Sequence, residues 1–245
     1  MIRAFSSYDL HPGANVRSLD AQFPTDLEFI GNERYHAEPN DTGYGYLHAG
    51  HAYLVSGGTA LPLRAGMYFS SPGPFSVVGT SEDCFGILII RRGYHGVLHL
   101  GGPVEAKGRL RYIDGCTDSL LVPPQRRGEP CLNLLQFPPG IDQTSHTHPS
   151  ARIGMVISGH GRCVHTEGET VDLVPGMVFC IHTDGVHKFQ TPYGDEMRVV
   201  AYHPDSDFGP TDDDHPMLNR TIVEGASARD NLAIRTRADV AVEYE

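Results

Sequence analysis

His146 and His148 stand two residues apart in the stretch from Gly140 to Gly159, and that spacing constrains the chain more than any other feature. Along a β-strand, residues two apart share a face, about 7 Å from one another. When the face is the interior of a small barrel, two imidazoles so placed can close on a metal ion that a third ligand completes. His187 is the candidate third ligand. Val171-Asp-Leu-Val-Pro175-Gly176-Met-Val-Phe-Cys-Ile reads as a turn followed by a strand, and Thr183-Asp-Gly-Val-His187 as a tight turn that delivers the imidazole.

These residues resemble a known family. The pattern G-x5-H-x-H-x3-(E)-x6-G, followed by P-G, an apolar strand, a short turn and H-x-F, is that of the cupin superfamily. Every spacing from Gly140 to Gly159 fits, and the resemblance covers roughly residues 125 to 204. Three positions depart from it: Arg152 stands in place of the usual glutamate, His182 in place of proline before the turn, and Thr191 in place of the closing asparagine. The resemblance implies a metal site of His146, His148 and His187 without a glutamate ligand, similar to that of some three-histidine cupin dioxygenases. It implies one divalent ion, Fe(II) first, with Zn, Mn, Ni or Cu as the other choices. It also implies a homodimer, because cupins commonly pair their sheets.

The chain has 245 residues, enough for one large core or two small ones, and its 28 Gly and 18 Pro point to many turns between short strands. A formal charge of −11 speaks against a phosphate-binding surface, so no nucleic-acid partner is expected. The segment beginning Met1-Ile-Arg-Ala-Phe has no apolar export signal, and no apolar run approaches the roughly 18 residues that cross a membrane. The expectation is a cytoplasmic protein without a membrane partner. Cys84, Cys116, Cys131, Cys163 and Cys180 are odd in number and scattered, which predicts reduced, buried thiols.

The first half repeats the pattern of the second. Setting Val55-Ser56-Gly57 against Ile157-Ser158-Gly159 puts Tyr44 and Tyr46 opposite His146 and His148; Arg64-Ala-Gly66-Met matches Val174-Pro-Gly176-Met, and Phe75 falls near the place of His187. The expected fold is all-β: two tandem cupin (jelly-roll-like) β-barrels, the N-terminal one degenerate, with Tyr44, Tyr46 and Phe75 filling its interior. The expected divisions are an N-terminal arm over 1–26, a degenerate barrel over 27–108, a metal-binding barrel over 109–204 and a loop and tail over 205–245. In the tail, Met217 and Leu218 are the expected anchor and a strand is expected around Ala233.

Arg152 lies an even number of residues from His146 and His148, so an unbroken strand sends its guanidinium into the same cavity. Arginine does not ligate a cation, and its charge opposes a nearby dication unless an anion sits between them. A substrate carboxylate held by a bidentate fork satisfies that condition; a structural pair with Asp142 or Glu196 is the alternative. His182, at the barrel mouth, is a candidate proton shuttle or a hydrogen-bonded turn residue.

Three classes of function compete: a metal-dependent oxygenase acting on an acidic small molecule with dioxygen, a non-oxidative lyase, isomerase or aminohydrolase, and a small-molecule sensor. The sensor lacks any basic helical DNA-binding segment.

Overall fold

The computed structural model describes residues 4–166, 168–211 and 214–231. Its first half holds β1 (Phe5–Tyr8), β2 (Asn15–Val16), β3 (Thr25–Ile30), β4 (Arg34–Ala37), β5 (Thr42–Ala49), β6 (His51–Ser56), β7 (Thr59–Arg64), β8 (Tyr68–Pro72), β9 (Phe75–Gly79), β10 (Phe85–Arg91) and β11 (His99–Gly101). Its second half holds β12 (Leu110–Arg111), β13 (Thr117–Val122), β14 (Cys131–Phe137), β15 (Arg152–Gly159), β16 (Gly161–His165), β17 (Glu169–Leu173), β18 (Val178–Ile181), β19 (His187–Gln190) and β20 (Met197–His203). A short helix α1 (Pro216–Arg220) and the hairpin β21 (Ile222–Val223) and β22 (Ala226–Ser227) follow. The strand expected around Ala233 lies outside the described residues. Apart from α1 and two 3₁₀ turns, the described elements are all strands, so the fold is all-β as the sequence pattern implies.

Each half is a pair of facing antiparallel sheets. In the first, a sheet of order β11-β8-β5-β10-β3-β2 faces one of order β4-β9-β6-β7; in the second, β1-β18-β15-β20-β14-β13-β12 faces β17-β16-β19. The arm is divided between them: β1 extends the large second sheet by pairing with β18, and β2 pairs with β3. Leu47, Leu54, Phe69, Phe75 and Leu88 fill the first half, and Phe137, Val156, Phe179, Phe189 and Val199 the second. A third core, with Tyr44, Tyr46, Ile89, Leu134, Met155 and Tyr202, lies between the outer faces of the two large sheets.

This third core decides which face of each strand is interior. Strand β14 is buried along its whole length, so alternation of polarity cannot orient it. Leu132 and Leu134 face the other half, while Leu135 and Phe137 face the second interior. The same two-sided burial overturns the expectation for Tyr44 and Tyr46. They belong to the core between the halves, where the rings of Tyr44 and Tyr202 lie 5.1 Å apart. The interior face of β5 carries Gly43, Gly45 and Leu47.

Backbone hydrogen bonds give the correct equivalence of the halves. Leu47 N–H donates to Met67 O and Leu47 O accepts from Gly66 N–H; Val156 does the same with Met177 and Gly176. Leu47 therefore matches Val156, Gly45 matches Gly154 and Gly43 matches Arg152. Counting back further, Ala37 matches His146 and Pro39 matches His148. The pairing confirms it, because Ala37 opposes Phe75 as His146 opposes His187. Setting Gly57 against Gly159 was the error: Gly57 turns between β6 and β7, whereas Gly159 turns between β15 and β16. The glycine at the matched interior position is required in both halves. A Cβ on Gly45 would meet the Phe69 ring at 2.3 Å, and one on Gly154 the Phe179 ring at 2.4 Å.

Candidate metal centre

The two histidines do not sit on a continuous strand. Strand β15 begins only at Arg152, and the segment before it is tied to β19 by isolated bridges, Asp142 to Gln190 and His146 to His187. His146 and His187 exchange both backbone hydrogen bonds, at 2.9 and 3.0 Å, and Asp184 N–H donates to His148 O at 2.9 Å. The turn that carries His187 is thereby fastened to the segment that carries the other two. Pro149 follows His148 and disfavours a helical backbone there.

The three imidazoles converge. Their ring centroids are 4.5 Å (His146 to His187), 5.1 Å (His146 to His148) and 5.2 Å (His148 to His187) apart, and one ring nitrogen from each falls within 4.8 Å of the others. His146 Nδ1 is 2.8 Å from Thr144 O and His187 Nδ1 is 2.9 Å from Gly185 O. Each Nδ1–H thus donates to a carbonyl, which leaves Nε2 with its lone pair free, the tautomer and ring orientation that metal ligation requires. Burial, with Arg152 and the neighbouring imidazoles adding to it, pushes the His148 pKa down to about 3. Burial likewise brings His187 down to about 4, against the Gly185 hydrogen bond, which raises it. At neutral pH both are unprotonated donors. Among the described residues this is the one His, Cys, Asp and Glu cluster with ligand geometry, and its all-nitrogen donor set suits a borderline divalent ion.

The matched positions of the first half carry Ala37, Pro39 and Phe75, none of which can ligate. Phe75 takes the interior space there: a Cβ on Gly43 would lie 2.3 Å from its ring. In the second half His187 stands for the phenyl and Arg152 for the glycine.

The cavity beside the triad is about 20 Å³, little more than one water needs, and is lined by the three histidines, Arg152, His203, Tyr112 and apolar side chains including Phe137 and Phe179. Arg152 does enter it, although the strand is broken upstream. Its partner is neither Asp142, which holds Lys188 and Gln190, nor Glu196, which accepts from Gln136. Arg152 Nη1 donates instead to Asp205 at 2.8 Å and to Ser150, and Ser150 Oγ in turn donates to Asp205. Its Nε is buried without a partner. His182 is not part of the cavity wall: its Nε2 lies 2.6 Å from Ser6 Oγ, where it fastens the turn to β1.

His203 is the site residue that sequence reading missed. It precedes Pro204 and reads as a strand end, yet it shares a face with the interior residues Val199 and Ala201, a parity that would have found it. Asp118 is close to the cavity without being one of its lining residues. It pairs directly with Leu135, a cavity residue, and burial pushes its carboxyl up to about 6.

Three imidazoles that converge between facing β-sheets form a candidate metal site. Residues 133–203, from within β14 to the last residue of β20, match the family described as Cupin domain. No curated protein matches the chain. Among solved structures, protein Ylba from E. coli is 15% identical, with a TM-score of 0.61 over 85% of this chain and 93% of that one. A cupin 2 conserved barrel domain protein from Leptotrichia buccalis is 14% identical, with a TM-score of 0.59 over 78% and 88% of the two chains. Salicylate 1,2-dioxygenase from Pseudoaminobacter salicylatoxidans is 10% identical, with a TM-score of 0.55 over 76% and 69%. At these identities the likeness is one of fold.

Proposed function

We propose that the protein is a metal-dependent bicupin enzyme that acts on a small carboxylate, with Fe(II) on His146, His148 and His187 and dioxygen as co-substrate. The observation that carries the reading is the convergence of three imidazoles with no carboxylate among them. Such a set leaves the full charge of a divalent ion uncompensated, which favours an anionic ligand beside it. When bound, the ion supplies open coordination positions and a Lewis-acid charge.

The residues of the chain do the rest. Thr144 O and Gly185 O hold two imidazoles in their donor tautomer, Arg152 brings a guanidinium into the cavity, and Phe137, Phe179 and Phe189 exclude water. Asp205 already engages Arg152 Nη1, so the unpartnered Nε side of the fork is the part open to an acid. The division into barrels over 27–108 and 109–204 belongs to this reading and is supported by the repeated hydrogen-bond frame around Leu47 and Val156.

A second reading, a non-oxidative metalloenzyme, is favoured by one observation: His203 places a further imidazole in the cavity wall, where proton transfer needs one. The test is anaerobic loading with ferrous iron followed by oxygen-electrode assays on short carboxylic acids. Oxygen uptake that matches loss of the acid supports the first reading. Turnover under argon with zinc, manganese or nickel replaces it with the second, and a metal-loaded protein that turns over nothing in either atmosphere removes both.

A further inference from the structure

The cavity wall next to Arg152 carries a group that the triad leaves without a task. Strand β20 lies between β14 and β15, and His203 sits across from Cys131 on one side; the pairs Ile153 with Tyr202 and Gly154 with Ala201 put Arg152 beside it on the other. Arg152 and His203 thus form one row across neighbouring strands, and both line the cavity. Asn133, two residues along β14 from Cys131, turns its amide to the back of the same imidazole. Its Nδ2 lies 3.2 Å from His203 Nδ1 and 3.5 Å from Cys131 Sγ, so it is a donor to the ring. An imidazole whose Nδ1 accepts a hydrogen bond carries its proton on Nε2.

We propose that His203, fixed by Asn133 as an Nε2–H donor, is a specificity-determining residue that grips a second oxygen of the bound acid while Arg152 takes its carboxylate. The ligand class is a short 2-oxo or 2-hydroxy acid, whose extra acceptor lies one carbon from the carboxylate. A plain carboxylic acid leaves the Nε2–H without its partner, and a site built around a hydrogen bond rejects the analogue that lacks it. The inference rests on the reading of this site as one that takes a small acid at a metal centre.

The experiment uses the full chain loaded with zinc and three probes matched in length: pyruvate, lactate and propionate. Pyruvate and lactate displace propionate in the parent. His203→Leu removes about 10-fold of that preference, the worth of one hydrogen bond near 1.4 kcal/mol, and leaves zinc content unchanged. His203→Gln, whose amide Nε2–H takes the same place, restores most of it. Independently of any ligand, ¹⁵N NMR of the ring nitrogens is expected to find the Nε2–H tautomer in the parent and a mixture in Asn133→Leu. The inference is overturned by an Nδ1–H tautomer, by a preference unchanged in His203→Leu, or by a parent that binds none of the three acids. Failure of the underlying reading has a different mark: the parent then takes up no zinc, or Arg152→Ala binds propionate as tightly as the parent does.

Discussion

In the metal-free protein the imidazole pair His148 and His187 is expected to make folding sensitive to mild acid. Both folded-state pKa values lie below the ordinary 6.5, near 3 and 4, chiefly because burial opposes the charged form. The unfolded chain therefore binds protons first as pH falls. Stability from these groups is fully present above pH 6.5 and is lost as the pH drops toward 4. Linkage at pH 4.5 gives about 2–3 kcal/mol for each residue. Their mutual repulsion enters both figures, so the pair together contributes about 4 kcal/mol. The assay is urea unfolding of chelator-treated protein at pH 7 and pH 4.5, for the parent and for the double variant His148→Gln, His187→Gln. Titratable groups outside the triad are common to both proteins and cancel in the comparison. The parent is expected to lose about 4 kcal/mol more than the variant. Equal losses would refute the account of two neutral, desolvated imidazoles.

Four further outcomes are expected. His148→Ala abolishes divalent metal uptake, measured by elemental analysis after dialysis, and leaves the far-ultraviolet circular dichroism of the β-fold in place. Arg152→Ala lowers unfolding free energy by about 1–3 kcal/mol in urea titration, because Asp205 and Ser150 lose a charged partner, and Asp205→Asn in the same chain recovers part of the loss. Arg152→Glu tightens metal binding, read as a lower dissociation constant, because it places a carboxylate in the cavity beside the triad. Gly154→Val lowers the thermal midpoint by several degrees, because its Cβ would lie 2.4 Å from the Phe179 ring, whereas Gly168→Ala, with open space at its Cβ, costs only the strain of its positive φ.

The triad was legible because its chemistry is carried by residue type and short spacing. His146 and His148 are two apart, His187 follows a turn, and neither fact depends on distant contacts. The strand assumed between His148 and Gly159 was not needed: a single bridge to His187 holds the geometry that a ladder was expected to hold. The entry of Arg152 into the cavity followed from parity alone, but its partner did not. Asp205 reaches it from the loop after β20, a contact that no local pattern encodes.

The first half was misaligned for a physical reason. Strands buried on both faces do not alternate in polarity, so Tyr44 and Tyr46 look as interior as Gly43 and Gly45 until the core between the sheets is known. The true counterparts of the histidines, Ala37 and Pro39, carry no chemical signal and emerge only from the pairing of Ala37 with Phe75. Met217 shows the same limit from the other side. Read as an anchor for its apolar character, it is 70% exposed on α1.

The claim that His146, His148 and His187 hold one divalent ion is tested most directly by X-ray absorption at the metal edge of the iron- or zinc-loaded protein. The predicted spectrum shows three imidazole nitrogens at about 2.0–2.1 Å, light oxygen atoms in the remaining positions and no sulfur. A first shell with fewer than three imidazoles, or one containing a cysteine sulfur, would contradict it.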